Sequence, residues 1–191
     1  MIVPNVSEQV RAITTMRSVQ AFSPLETASI MWAAAASTGW CAAGLNANLD
    51  VDRSVRDAEM LEETHNPELL GMCRDRLFVA TAPIAAELAP KTVLAEVQIV
   101  RYHAGGKYVD HRDTLTLGAP RALSLVCYLN DDFAGGATVF AEPDEVVEPC
   151  TGLAIVFSPL RLHRADPVIN GTKYVITAWY HSLAHYDAPG A

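Results

Sequence analysis

The chain has 191 residues, of which 50% are apolar and 19% are charged, a composition typical of one globular domain with a hydrophobic core. Its 14 basic and 22 acidic residues give a formal net charge of -8, which disfavours nonspecific nucleic-acid binding because phosphates are repelled. The longest apolar stretch, Ile30 to Ala36, is far shorter than the roughly 20 residues of a membrane span, and no secretory signal is visible. The four cysteines lack the C-x-x-C spacing of redox or zinc sites, so we expect a soluble cytoplasmic protein without a membrane or nucleic-acid partner.

The first 90 residues are predicted to be mainly helical. Apolar residues recur at helical spacing from Val6 to Val19, which predicts a first helix. The run Ser23-Pro24-Leu25-Glu26 has the order of a capping box with proline at the first helical position, and it predicts a second helix. A third helix is predicted to start at Asn66-Pro67 and to be kinked or ended by Pro83 or Pro90.

The rest of the chain is predicted to form strands. Trp40 to Glu63 is predicted to contain one or two strands with a mobile loop. Beyond Lys91, short runs rich in Val, Ile, Tyr and Thr alternate with turn residues about every ten positions, which is typical of a β-sandwich or barrel. The eight predicted strands are Glu96–His103, Tyr108–Asp113, Ala122–Leu129, Ala137–Ala141, Val146–Glu148, Leu153–Ser158, Leu162–Val168 and Thr172–His181. We therefore expect an α+β fold in one domain over residues 1–191, with helical support and a lid region in 1–90 and an all-β jelly-roll core in 91–185.

One short motif carries metal-binding chemistry. His111-Arg112-Asp113 places an imidazole and a carboxylate two residues apart, on the same face if the segment is a strand. A third ligand could come from His163. Two imidazoles and one carboxylate on one face form the facial triad of non-heme Fe(II) sites, which leaves coordination positions open. An isolated H-x-D motif is a weak signal, so other features must support it.

Lys173 is the strongest supporting feature. It lies ten residues after His163 in the run Gly171 to Tyr180, whose two alternating faces are both largely apolar and therefore predict a strand buried on both sides. A buried lysine is costly unless an anion meets it, and no acidic residue is adjacent in this strand. The anion could be a ligand carboxylate, with Thr177 supplying a hydroxyl. Alternatively, the lysine extends from the strand end to solvent, and the strand alone does not decide between the two.

In combination, these features resemble the Fe(II)/2-oxoglutarate-dependent dioxygenases, most closely the prolyl 4-hydroxylase-like branch. The resemblance covers Glu96 to His181 well, whereas residues 1–90 match only loosely. The matching motifs, in chain order, are His111-x-Asp113, Tyr128-Leu129-Asn130, Gly135-Gly136-x-Thr138-x-Phe140, Pro149-x-x-Gly152, His163 followed by Pro167-Val168, and Gly171-x-Lys173-Tyr174 closing in Trp179.

The resemblance implies a catalytic centre and its cofactors. His111, Asp113 and His163 would bind Fe(II), and Lys173 would bind the far carboxylate of the cosubstrate 2-oxoglutarate. O2 would be the other cosubstrate, and ascorbate is a candidate reductant. Halogenases of the same fold replace the metal-binding carboxylate with a small residue, so the presence of Asp113 indicates hydroxylation.

The resemblance also implies the walls of the pocket. Tyr102 and Tyr128 match positions whose hydroxyls line the cosubstrate pocket, and Thr177 and Trp179 would complete its wall. Core packing with a hydroxyl at the rim is the alternative for both tyrosines. The weak candidates for substrate contact are Arg56 and Arg164.

The activity implied is hydroxylation of a C–H bond, with release of succinate and CO2, on a prolyl or related residue of a peptide or protein. A free amino acid or small metabolite is the second candidate substrate. Either would be recognised by the segment Trp40 to Glu63 and the connection Thr114 to Pro120. A non-catalytic jelly-roll binding protein and a metal-only cupin-type enzyme are disfavoured because neither requires the triad together with Lys173. The sequence does not indicate an oligomeric state.

Overall fold

The computed structural model describes the protein at residues 14–45, 50–114 and 120–183. Within these ranges, three antiparallel β-sheets build the fold, and two of them contribute side chains to one cavity. Two helices pack against the outer face of the largest sheet. Neither of these helices is long and apolar enough to span a membrane.

Strands are numbered in chain order. The largest sheet consists, in spatial order, of β1 (Met16–Gln20), β11 (Leu153–Phe157), β7 (Arg121–Tyr128), β14 (Lys173–Ser182), β5 (Thr92–Tyr102), β4 (Glu59–Glu62) and β2 (Cys41–Ala42). The second sheet consists of β10 (Asp144–Val147), β9 (Thr138–Ala141), β12 (His163–Ala165), β6 (Lys107–His111) and β3 (Arg56–Asp57). The third is the pair of β8 (Ala134–Gly135) and β13 (Val168–Asn170). This double-sheet arrangement confirms the predicted jelly-roll core with helices on one side.

Strand β14 lies at the centre of the largest sheet, between β7 and β5. Ile176, Ala178 and Tyr180 point from it into the core beneath the helices. The alternate residues line the cavity on the opposite face: Lys173, Val175, Thr177 and Trp179. Because successive strand residues alternate between faces, one strand serves both the core and the cavity. The prediction that this strand is buried on both sides is confirmed.

Both described helices start where the sequence predicts. Helix α1 (Pro24–Ala35) opens with the capping box at Ser23, and α2 (Pro67–Leu88) opens with Asn66 as its N-cap. Helix α2 continues through Pro83 and ends before the next proline. The helix residues that pack into the core include Ile30, Ala34, Leu70, Cys73 and Leu77.

The predicted helix from Val6 to Val19 is wrong at its C-terminal end. Met16–Gln20 forms β1, which pairs with β11 at the edge of the largest sheet. The spacing of Met16 and Val19 fits one face of a helix, but pairing with β11 satisfies the backbone hydrogen bonds of both strands. Residues 6–13 lie outside the described ranges.

The segment between the helices forms more strands than expected. Trp40 to Glu63 contributes β2, β3 and β4, where one or two strands were predicted. Residues 46–49 of this segment lie outside the described ranges. Of the four cysteines, Cys73 and Cys127 are buried free thiols and therefore fit the structural role expected of them, whereas Cys150 is exposed.

Replacing a core residue of α2 should destabilise the fold much more than replacing an exposed residue of α1. Leu70 is fully buried and Leu25 is 79% exposed. We expect Leu70→Ala to lower the free energy of unfolding by about 2–5 kcal/mol because it leaves a cavity. Leu25→Ala should change it by about 0.5 kcal/mol or less. Urea denaturation of both variants measures the difference, and equal losses would contradict the assigned core.

Candidate metal and cosubstrate site

The three predicted metal ligands converge between the two larger sheets. His111 ends β6 and lies directly opposite His163, the first residue of β12. Asp113 follows in the turn after β6. His111 Nε2 lies 3.5 Å from Asp113 Oδ1, and His163 Nε2 lies 3.7 Å from Asp113 Oδ2. The three ligand atoms all lie within 4.8 Å of one another, close enough to share one metal ion.

The Asp113 carboxylate is oriented by a different part of the structure from the one that the sequence predicts. The strand was expected to continue to Asp113, but β6 ends at His111, so strand alternation does not orient the carboxylate. Instead, the Asp113 backbone N–H donates to Pro159 O at 2.9 Å. The Ser124 hydroxyl donates to Asp113 Oδ2 at 2.6 Å, and the Trp179 indole N–H donates to the same oxygen at 3.1 Å. Turn geometry and these two donors therefore fix the carboxylate.

Both histidines are held in the form that a metal requires. His111 Nδ1 lies 2.8 Å from Val109 O, and His163 Nδ1 lies 2.9 Å from Arg161 O. A carbonyl oxygen only accepts hydrogen bonds, so each Nδ1 carries a proton, and Nε2 is the ring atom of each histidine that can bind a metal. Tyr108 stacks on His111 with ring centroids 3.5 Å apart, which further limits rotation of that ring. Such support from outside the ligand set orients metal-binding imidazoles.

The charge states of the cluster suit a divalent cation. Burial acts to raise the pKa of the Asp113 carboxyl, but the hydrogen bond from His111, the charges of both histidines and the Ser124 hydroxyl outweigh it and hold that pKa far below its usual range. Burial is the main cause that lowers the pKa of His163. The cluster therefore offers a carboxylate together with two imidazoles, the donor set of a non-heme metal site.

Lys173 lies in the same cavity with its ammonium group away from solvent. The residue is 2% exposed, so the alternative that it reaches solvent is wrong. Its Nζ donates to Gly136 O at 2.6 Å and lies 5.2 Å from the centre of the Tyr102 ring. Among the described residues it forms no ion pair. Burial lowers its pKa to about 7, although the charge of Asp166 acts in the opposite direction.

The other predicted cosubstrate residues lie at different depths. Tyr102 and Thr177 line the cavity, and the buried Thr177 Oγ1 has no hydrogen-bond partner among the described residues. Tyr128 lies one layer behind: its hydroxyl donates to Thr138 Oγ1 at 2.7 Å, and Thr138 lines the cavity in its place. Trp179 lines the cavity while it also holds the metal-binding carboxylate.

The cavity has a volume of about 320 Å³, near the lower end for ligand pockets. The two residues predicted as weak candidates for substrate contact both line the cavity. Arg56 is buried, and Arg164 is half-buried and paired with Asp166 at 2.7 Å.

The sequence did not predict several polar residues of the cavity wall, namely Glu62, Glu96, Gln98, Arg121 and Thr138. Two of them lie opposite predicted wall residues on β14, Gln98 opposite Thr177 and Glu96 opposite Trp179, but the strand order that aligns them is not visible in the sequence. Residues 115–119 of the connection predicted to contact substrate lie outside the described ranges.

Residues 97–181 match the sequence model of the 2OG-Fe(II) oxygenase superfamily. The matched segment contains all three candidate metal ligands and Lys173. Human prolyl 4-hydroxylase subunit alpha-1 is 32% identical over 105 residues, which cover 45% of this chain and 20% of that protein. The chain spans less than half the length of the curated relatives it matches. Fe(II) and 2-oxoglutarate are the metal and cosubstrate of the superfamily.

Solved structures share the fold of this chain. A prolyl hydroxylase from Trichoplax adhaerens, in complex with a hypoxia inducible factor oxygen degradation domain peptide fragment, has a TM-score of 0.75 at 15% identity and covers 95% of this chain and 91% of its own. The viral collagen prolyl hydroxylase of Paramecium Bursaria Chlorella virus-1, as a 2-oxoglutarate complex, has a TM-score of 0.67 at 19% identity and covers 87% and 96%. At these identities the likeness concerns the fold alone.

The residues that line the cavity fit both Fe(II) and 2-oxoglutarate. The clustered Nε2 and carboxylate atoms form a donor set for Fe(II), because two imidazoles and one carboxylate leave open positions on the ion. The buried ammonium of Lys173 and the unpartnered Thr177 hydroxyl fit the far carboxylate of 2-oxoglutarate.

Removing one of the three ligands should weaken metal binding without unfolding the protein. We expect His163→Ala and Asp113→Ala to raise the Kd for Mn²⁺ by more than about tenfold, because each deletes a direct ligand. The exposed His65 provides the control, and His65→Ala should bind Mn²⁺ like the wild type. Electron paramagnetic resonance titration measures free Mn²⁺, and circular dichroism checks the fold. Unchanged binding in either ligand variant would remove that residue from the site.

The affinity for 2-oxoglutarate should fall as pH rises above about 7. Burial lowers the pKa of Lys173 to about 7 in the free protein, so above that pH the lysine must take up a proton when the carboxylate binds. Affinity should be nearly constant below this pH and should drop by up to about tenfold per pH unit above it. Isothermal titration with saturating Mn²⁺ from pH 6 to 9 measures this dependence. Lys173→Arg should lose the slope because a guanidinium stays charged, and a slope retained in that variant would assign it to another group.

Proposed function

We propose that this protein is an Fe(II)- and 2-oxoglutarate-dependent dioxygenase that hydroxylates a C–H bond of a prolyl or related residue in a peptide or protein, with release of succinate and CO2. The observation that carries the proposal is the combination, in one cavity, of a three-atom metal-ligand cluster and a buried lysine without an ion-pair partner. A metal-binding protein without a cosubstrate would have no need to bury that ammonium group.

The roles of the side chains follow from their positions. His111 and His163 would hold the metal through Nε2, and Asp113 would hold it through its carboxylate. When bound together, Fe(II) and 2-oxoglutarate supply the oxidising power that hydroxylation with O2 requires. Lys173 would orient 2-oxoglutarate by pairing with its far carboxylate, and Thr177 would donate a hydrogen bond to it.

Other residues of the cavity would keep this arrangement fixed. Ser124 and Trp179 hold the Asp113 carboxylate through one oxygen and thereby fix its direction. Val126 and Val175 supply apolar parts of the cavity wall. Because Lys173 is buried, its attraction to a carboxylate would be stronger than in water, where the dielectric constant is higher.

The choice of a prolyl substrate is supported by the relatives. The curated proteins that match the chain at 30–32% identity are prolyl 4-hydroxylases or their subunits. The Trichoplax structure with the same fold contains a bound peptide fragment. In this protein, Gly44, Leu45 and Met60 from the segment before α2 line the cavity, and this placement supports the role in substrate recognition that we assign to residues 40–63.

We also propose that residues 1–191 form one catalytic domain. Strands β1 and β4 from the first 90 residues belong to the same sheet as β5, β7 and β14. Such shared sheets support a single folding unit rather than a separate N-terminal support.

Turnover should require Fe(II), 2-oxoglutarate and O2 together. We expect succinate release with proline-containing peptides, and each hydroxylated peptide should gain one oxygen atom by mass spectrometry. Lys173→Ala should raise the 2-oxoglutarate requirement roughly ten- to a hundredfold, since it removes a charge-assisted hydrogen bond. His65→Ala serves as the control and should retain turnover.

The same assay separates the competing functions. Oxygen gain confined to free amino acids would overturn the peptide substrate in favour of a small-molecule hydroxylase. A protein that binds Mn²⁺ and 2-oxoglutarate but releases no succinate with peptides or free amino acids would indicate a non-catalytic binding protein.

A further inference from the structure

Two cations that line the cavity have no ion-pair partner among the described residues. Most of the other charged side chains there are paired, as shown by Arg121 with Glu96 at 2.5 Å and Arg164 with Asp166 at 2.7 Å. The exceptions are one carboxylate, Glu62, and two cations: Lys173, which is assigned above to the cosubstrate, and Arg56. Arg56 belongs to β3, outside the residues that match the superfamily model, so that match gives it no role.

Arg56 is buried in a way that leaves its hydrogen bonding incomplete. The residue is 9% exposed, and its Nη1 donates to Gly44 O at 2.8 Å. Its guanidinium lies 4.9 Å from the centre of the Tyr108 ring, and its charge acts on the Tyr102 hydroxyl, whose pKa is raised mainly by burial. The buried Nε has no partner among the described residues. A guanidinium stays charged at any ordinary pH, so this position is costly unless an anion binds there.

In the loaded site, Arg56 would still have no ion-pair partner among the described residues. A divalent metal and the Lys173 ammonium would carry as much positive charge as the Asp113 carboxylate and dianionic 2-oxoglutarate carry negative charge. The cosubstrate therefore neutralises Lys173 and leaves two charges of opposite sign unpaired among the described residues of the cavity wall, Arg56 and Glu62. A substrate that brings its own carboxylate would pair with Arg56.

We propose that Arg56 is the subsite for a carboxylate group of the substrate, an inference that rests on the proposed function. The planar fork of Arg pairs with a carboxylate through two parallel hydrogen bonds, and Arg56 lines the cavity with only its Nη1 hydrogen-bonded among the described residues. An internal prolyl residue carries no charge. The carboxylate must therefore come from the free carboxyl group of proline itself or from an acidic side chain next to the proline in a peptide.

Glu62 offers a way to distinguish these two sources. It lines the cavity, is partly exposed, and forms no ion pair in the described ranges. A free amino acid carries an ammonium group that could pair with Glu62, whereas an internal acidic residue of a peptide does not. Glu62→Gln should therefore weaken the binding of free proline and leave the binding of an acidic peptide unchanged.

The experiment measures binding of matched probes to the protein loaded with Mn²⁺ and 2-oxoglutarate. The first pair is L-proline and L-prolinamide, and the second is acetyl-prolyl-aspartate amide and its asparagine analogue. Isothermal titration should show that the wild type prefers the carboxylate of at least one pair by about tenfold or more. In Arg56→Gln that preference should fall to near one, while the Kd for 2-oxoglutarate stays unchanged.

Two further variants make the result specific. Arg53 lies in the same segment but is exposed and paired with Asp57 at 2.6 Å, so Arg53→Gln should keep the preference. Arg56→Lys retains the charge and should show an intermediate preference, which tests the charge even if Arg56→Gln folds poorly.

Three results would overturn the proposal. In the first, the wild type binds 2-oxoglutarate but binds no probe or shows no preference for the carboxylate. In the second, the preference survives in Arg56→Gln, and in the third it survives while the Kd for 2-oxoglutarate becomes weaker. The last result would mean that Arg56 acts through Tyr102 on the cosubstrate. Failure of the wild type to bind 2-oxoglutarate is a separate outcome, which would overturn the proposed function and this inference with it.

Discussion

The buried ammonium group of Lys173 is the constraint on which the rest of the cavity depends. Its Nζ has a backbone carbonyl as hydrogen-bond partner and no carboxylate within ion-pair distance among the described residues. Removing this charge from water costs free energy, which appears as a pKa lowered to about 7. A ligand carboxylate would favour the charged form and offset that cost. The ammonium group therefore lacks a counter-ion among the described residues, and the far carboxylate of 2-oxoglutarate would supply one.

The two larger sheets place the metal cluster beside this lysine. Strand β14 carries Lys173, Thr177 and Trp179 on one face, so the carboxylate anchor and the residue that holds Asp113 are fixed by a single backbone. The histidines come from paired strands of the opposite sheet. Because the two histidines and Lys173 all lie on hydrogen-bonded strands, the distance between the imidazoles and the ammonium group is set by the sheets and not by loop conformation.

Much of this site is predictable because strand alternation and local motifs encode it. The helix starts at Ser23 and Asn66 follow from their capping residues, and the two-sided burial of β14 follows from its apolar pattern. Asp113 is different: its carboxylate is oriented by a turn and by donors from distant strands, which no short pattern shows. The strand at Met16–Gln20 was misread because its pairing partner, β11, lies far along the chain.

The sequence also does not show whether a charged side chain has an ion-pair partner. Arg56 and Arg164 look equivalent as surface cations in a sequence, yet one is buried without an ion pair and the other is paired at the cavity wall. Similarly, Tyr102 and Tyr128 both follow the wall pattern, but Tyr128 lies behind Thr138. Only the tertiary arrangement separates a residue on the cavity surface from one in the layer behind it.

A crystal structure of the protein with Mn²⁺ and 2-oxoglutarate tests the central claim most directly. The account predicts that the metal is bound by Nε2 of His111, Nε2 of His163 and the carboxylate of Asp113, and that Lys173 Nζ lies within hydrogen-bond distance of the far carboxylate of 2-oxoglutarate. The account would be contradicted if the metal bound elsewhere, or if 2-oxoglutarate bound with its far carboxylate away from Lys173.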